Sequence, residues 1–309
     1  MSEDRSATAA AHHSNIASGP PGRAGVLVGL PRLGPLVELC GRDPACLVAR
    51  VDRTGADFSL HDTGPRRDAG HVEGDARWPV HRTASADWSE RHFRLKVENT
   101  WEHTAGEIAR ALETAFEETG ADPAVLAGDP RERQAVHARL PEAVRAVTVT
   151  SDHGGRAPGS DSVPLERDVD RARREHLSRR TEEALDGFRA GRVGTDRPTD
   201  AVEGVPALVE AAREHRIGTL LLRPGGSDLH REVRVGATPD RIAERRTDAQ
   251  YLGESEPVSA RADGALLRSA AATAADVLVL PPADAEDADT EELPVGGLGA
   301  LLRWSYEQP

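Results

Sequence analysis

Apolar side chains at Phe93, Val97, Trp101, Ala105, Ile108, Leu112 and Phe116 recur at steps of three or four, which predicts a long helix with one buried stripe. A loop of small and polar residues, Thr83 to Asp87, leads into it, and Asp87 followed by Glu90 has the form of a capping box. Upstream, the run CLVARV (Cys46 to Val51) reads as a strand, Asp52 to Gly55 as a turn and Ala56 to His61 as the hairpin partner. Val72 to Asp75 and Trp78 to His81 read as further strand material. Downstream come a buried strand at Ala124 to Ala127, a helix from Arg131 to Leu140 stopped by Pro141, and a strand from Ala146 to Thr150.

After a Gly- and Pro-containing loop, Ser151 to Asp161, the pattern predicts a long charged helix from Val163 to Ala190 and a loop from Gly191 to Thr199. It then predicts a helix over Ala201 to His215 and strands at Gly218 to Leu222 and Val233 to Gly236. A polar, irregular helix from Pro239 to Tyr251 and an Ala-rich helix from Gly264 to Ala275 follow. A strand at Asp276 to Leu280, an acidic loop at Asp284 to Glu292 and a closing stretch, Val295 to Trp304, complete the chain. Helices alternating with strands imply an α/β fold in two domains, with a largely parallel or mixed sheet in the second. Residues 1 to 24 read as a disordered tail and 25 to 45 as a lead-in or the remnant of an N-terminal domain. The two domains are expected at 46–155 and 163–309.

Composition narrows the function. The 309 residues carry a formal net charge of -13, which argues against general DNA binding. Against that background Arg77, Arg82, Arg91, Arg94 and Lys96 make the entry to the long helix locally positive. No apolar run approaches the ~18 residues of a membrane span, and the N-terminus lacks the basic and apolar regions of a secretory signal, so a cytoplasmic protein is expected. Cys40 and Cys46 are too few for a four-ligand zinc site and read as reduced thiols. Asp52 and Asp57 flank the hairpin turn, where a nuclease of RNase H type would place a carboxylate, but no convergent set of acids accompanies them. Gly154-Gly155 and Gly225-Gly226 lack the strand-to-helix context of a phosphate loop and read as turns. No G-x-S-x-G elbow and no i, i+4 histidine pair is present, and neither a cofactor nor a metal is expected.

Several stretches together carry a resemblance: CLVARVDRTGADF, the loop WPVHRTASADWSERHF, the helix VENTWEHTAGEIA, VLAGDPRERQ, then LLLR, DVLVLPP and GGLGALLRW. The chain resembles the actinobacterial branch of the bacterial release-factor-like family, relatives of archaeal and eukaryotic class-1 release factors and of Pelota, a group that includes the ribosome hibernation factor Balon. The resemblance spans roughly residues 26 to 306. It implies a central RNase-H-like domain and a C-terminal α/β domain like that of Pelota and the release factors. With some 45 residues ahead of the central domain, the family's N-terminal domain, which faces the decoding centre, is expected to be largely missing.

In that family the loop before the central helix enters the peptidyl transferase centre, and related bacterial sequences resemble Gly-Gly-Trp-Ser-Gln there. The matching positions are Ala86, Asp87, Trp88, Ser89 and Glu90. Hydrolysis of peptidyl-tRNA needs donors aimed at a developing oxyanion, whereas an ionised Glu90 offers only acceptors. The resemblance therefore implies a non-catalytic ribosome-binding protein. Arg82, Arg91, Arg94 and Lys96 would meet rRNA or tRNA phosphates, and Trp88 would stack on a base or staple the helix entry. A hydrolase in ribosome rescue, with Ser89 or Glu90 in the glutamine's role, is the enzymatic alternative. A paralogue that has lost the ribosome is the third. The implied partners are the 70S ribosome and, through the acidic loop, a basic translation factor such as elongation factor Tu.

Overall fold

The computed structural model describes residues 30, 33–41, 43–74, 88–157, 160, 163–192, 199–282 and 293–306. Strands β1 (Cys46–Asp52), β2 (Gly55–His61), β3 (Arg67–Glu73), β4 (Ala124–Gly128) and β5 (Thr148–Ser151) form one sheet in the order β3-β2-β1-β4-β5. β1 and β2 are an antiparallel hairpin closed at Asp52 and Gly55, while β1, β4 and β5 run parallel. This is the mixed sheet expected of an RNase-H-like layer. The unbroken apolar run of β1 follows from cover on both faces. Leu47, Ala49 and Val51 join the core containing Ile108 and Leu112 of helix α2 (Trp88–Thr119). Cys46 and Val48 turn the other way, onto Leu165, Val169 and Ala172 of helix α5 (Val163–Arg192). Fully burying each Leu stabilises the fold by roughly 1.5–3 kcal/mol.

Two short helices, α3 (Pro130–His137) and α4 (Glu142–Ala146), link β4 to β5. A side chain at Gly128 would sit 2.2 Å from the Val51 carbonyl oxygen, so only glycine lets β4 turn towards α3 against the end of β1.

The second unit is built on β6 (Thr199–Glu203), β7 (Ile217–Leu222), β11 (Asp276–Val279) and β12 (Leu298–Tyr306), in the order β11-β7-β12-β6. β7 and β11 are parallel and β12 is antiparallel to both its neighbours, so the sheet is mixed. Helices α6 (Val205–Arg213) and α8 (Ala262–Ala272) cover one face through Leu208, Ala212, Leu266 and Ala270. The opposite face holds Leu221 and Leu278 against Phe188 of α5. A small antiparallel sheet of β8 (Glu232–Val235), β9 (Ile242–Ala243) and β10 (Val258–Arg261), with helix α7 (Arg246–Tyr251) beside it, completes the unit. The lead-in contains helix α1 (Gly34–Gly41), and Leu30, Leu33 and Val37 pack on the second unit's core.

Helix α5 thus serves both units. Its first half closes the first sheet and its second half closes the second.

Several expectations are corrected. The helix expected from Ala201 begins only at Val205, because Thr199–Glu203 pairs with β12 and Gly204 (φ 80) separates strand from helix. The edge strand after the hairpin is Arg67–Glu73, not Val72–Asp75. It is too polar to show a period, and its pairing with β2 supplies the order. The strand expected from Ala146 starts at Thr148, since α4 runs through Ala146. The helix expected over Pro239 to Tyr251 divides into β9 and α7. Strand β10 has no counterpart in the sequence reading. The expectations for 1–24, Trp78 to His81 and Asp284 to Glu292 lie outside the described residues.

Candidate functional site

The expected site opens α2. Arg82 and the loop Thr83 to Asp87 lie outside the described residues, as do the side chains of Trp88, Ser89, Glu90, Arg91, Arg94 and Lys96. The backbone of these last six is helical, on the first three turns of the 32-residue α2. Described packing starts at Trp101 and continues through Ala105, Ile108, Leu112 and Ala115. At 1.5 Å per residue, position 88 stands about 20 Å along the axis from Trp101.

A second constellation, absent from the sequence reading as a group, gathers where the parallel strands β1, β4 and β5 end. Open α/β sheets generally bind ligands at such an edge. Arg156, from the loop after β5, reaches back to the hairpin. Its Nη1 donates to Asp52 Oδ1 at 2.9 Å and Thr54 Oγ1 at 2.9 Å, and its Nε and Nη2 donate to Asp57 at 3.1 and 3.2 Å. Burial opposes ionisation of Asp52, but hydrogen bonds from Thr54 and Arg156 outweigh it and hold the carboxyl below its usual range. The two aspartates are therefore bound to an arginine, in the place where a nuclease would hold a cation. Among the described residues no group of three or more His, Cys, Asp or Glu side chains converges as a metal cage.

The rest of the edge is tied in the same way. Arg53 Nε donates to the buried Glu132 at 3.0 Å. Asp129 caps α3 by accepting from the Arg131 N–H at 3.0 Å, and that bond first, then the Glu132 side chain, keeps its carboxyl low. The buried Arg133 donates to the Ser151 carbonyl and to Asp152. Ser151, His153 and Asp168 resemble a hydrolytic triad in composition but not in connection. Ser151 Oγ donates directly to Asp168 Oδ2 at 2.6 Å, and His153 Nδ1 meets the same oxygen at 2.9 Å. The hydroxyl is held by a carboxylate and not by an imidazole, so the three do not form a Ser-His-Asp relay and Ser151 ties the strand end to α5. The bonds from His153 and Ser151 keep Asp168 ionised below the usual carboxylate range. The visible signal was a charged residue or pair straight after each strand, but nothing in the chain order says which cation meets which anion.

Residues 45–193 match the family model for bacterial archaeo-eukaryotic release factor family 2. That stretch, just under half of the chain, is similar to the release factors. The match begins beside β1 and stops one residue after α5, so it takes in the first sheet, the α2 entry and the shared helix. The chain is 27% identical over 288 residues to the uncharacterized protein Rv2629 of Mycobacterium tuberculosis, covering 93% of this chain and 73% of that one. Among solved structures it is similar to S. cerevisiae Dom34, a translation termination-like factor interacting with Hbs1. That match has 10% identity and a TM-score of 0.45, covering 85% of this chain and 63% of Dom34, less than two thirds of that protein. It is also similar to Archaeoglobus fulgidus Pelota, at 15% identity and a TM-score of 0.35, covering 90% and 69%.

Proposed function

We propose that this chain is a ribosome-associated, non-catalytic release-factor-like protein that occupies the A site of idle or stalled ribosomes, with loop 83–90 directed at the peptidyl transferase centre. The family match over residues 45–193 carries the reading, because it includes the stretch in which the family's working loop falls. In that loop Ala86, Asp87 and Glu90 stand where relatives resemble glycine, glycine and glutamine. An ionised carboxylate at 90 repels the oxyanion that hydrolysis must stabilise. Arg82, Arg91, Arg94 and Lys96 supply cations for rRNA or tRNA phosphates, and Trp88 supplies a stacking face worth ~1–3 kcal/mol on an unpaired base. At the first sheet's edge Glu132, Asp152, Asp57 and Asp52 are each held by an arginine, which leaves the α2 entry as the stretch on which this reading rests.

Co-sedimentation with vacant 70S ribosomes across a salt series tests this. Stoichiometric pelleting that weakens with salt is expected, and each lost phosphate contact lowers the salt slope by roughly one unit. Pelleting unchanged after neutralising all four cations would sink the proposal. The retained Trp88-Ser89 pair favours one second reading, a peptidyl-tRNA hydrolase. Peptide release by the wild type, abolished by changes at Trp88 and Glu90, would establish it, whereas activity appearing only in Glu90→Gln would mark a decayed site.

A further inference from the structure

Arg223 follows β7 directly and is 8% exposed. Its N–H continues the ladder by donating to the Gly297 carbonyl at 2.9 Å, so the alternation of β7 puts it on the face of Leu221, in the layer packed by Phe188 and Leu280. Its Nε and Nη2 are buried and have no acceptor among the described residues. A guanidinium cannot shed its charge, and burying one without a partner is costly.

Carboxylates are not scarce: the chain has 52 acidic residues. Among the described residues two stand beside these turns, and both are engaged elsewhere. Asp228 faces Arg231 at 3.8 Å, and Glu203 accepts from the Val295 N–H at 2.9 Å and from Arg192 at 3.3 Å. Four of the seven rim residues, Gly225, Gly226, Gly296 and Gly297, are glycines, so much of the rim is bare backbone. Gly225, Gly296 and Gly297 take left-handed conformations (φ 83, 73 and 84), and a side chain on Gly226 would lie 2.4 Å from the Gly296 oxygen. Val295, 68% exposed, marks where this rim meets solvent. The position is the carboxyl end of the parallel pair β7 and β11.

We propose that Arg223 and the turns 224–226 and 294–297 form a binding site for a phosphate group, supplied by a free phosphorylated small molecule or by a phosphodiester. The planar fork matches a tetrahedral oxyanion through two parallel hydrogen bonds, and the glycines of the two turns let such an anion approach the backbone. The site shares no residue with the α2 entry, so it stands if ribosome pelleting fails, and pelleting stands if this site fails.

The test is thermal unfolding and titration calorimetry of the full chain with inorganic phosphate, with a trinucleotide lacking terminal phosphates, and with acetate, at matched ionic strength. Phosphate is expected to raise the Tm of the wild type saturably, and acetate is not. The stronger of the first two arms tells free phosphate from phosphodiester. Arg223→Met should lose the response, and Arg223→Lys, which keeps the charge but not the fork, should bind about tenfold more weakly. The lysine variant carries the test if the methionine variant fails to fold. Equal responses in wild type and variants, acetate matching phosphate, or no response in any arm would overturn the assignment.

Discussion

At the carboxyl end of the first sheet Arg53, Arg133 and Arg156 each meet a carboxylate, while at the carboxyl end of the second sheet the buried Arg223 meets none among the described residues. The two edges have similar strand geometry and differ in the balance of charge. Where each cation has its anion within the chain, the charges hold loops to strands and leave nothing over for a ligand. Where no described carboxylate reaches the cation, its donors are left for the phosphate proposed above. An arginine count would have ranked the first edge as the binding surface, and the pairing reverses that ranking.

The comparison is broken most severely at Arg133, which is 5% exposed and donates to the Ser151 carbonyl as well as to Asp152. Arg133→Met strands that carbonyl and should cost ~2–3 kcal/mol, read as a lower urea midpoint at unchanged m-value. Arg156→Met should cost ~1–2 kcal/mol, less because Asp52 and Asp57 are 43% and 46% exposed and rehydrate. Arg223→Met should move the other way in phosphate-free buffer, stabilising by about 1 kcal/mol, since an apolar side chain replaces an unpaired buried charge. A midpoint falling as far as that of Arg133→Met would erase the difference between the edges.

Acid sharpens the contrast. The folded carboxyls of Asp52 and Asp168 titrate below their ordinary range, so the stability they contribute is complete above about pH 4 and is lost as pH falls through the folded values. Arg156→Met raises the Asp52 carboxyl towards normal, and the stability gap between wild type and variant should narrow from pH 5 to pH 3. The smallest effect concerns Cys46, whose thiol burial pushes up to about 12, so the native protein should resist alkylation at pH 8 and react only on unfolding.

The first sheet was legible because its order is local and apolar. CLVARV and AVLA are continuous hydrophobic runs, and the period through Ile108 and Leu112 marks α2, whose start at Trp88 follows the Asp87–Glu90 pair. β3 and β6 were not legible, because RDAGHVE and TDAVE become strands through partners supplied by β2 and β12. The site divides likewise. The α2 entry stood out through a basic cluster in an acidic chain, whereas Arg156 meets Asp52 across 104 positions, a pairing that only the folded topology creates. Arg223 was harder still, because what distinguishes it is the acceptor it lacks.

Helix α5 has a consequence for how the molecule comes apart. Its first two turns carry Leu165 and Val169 against one sheet, and its last carries Phe188 against the other, so neither sheet keeps a closed core if the helix melts. Unfolding should therefore be a single calorimetric event, with equal van't Hoff and calorimetric enthalpies, despite two hydrophobic cores. A protease that nicks the chain before residue 163 and one that nicks it after 192 should leave very different remnants: the first strips the lid from Cys46, Val48 and Val125, the second leaves that sheet sealed.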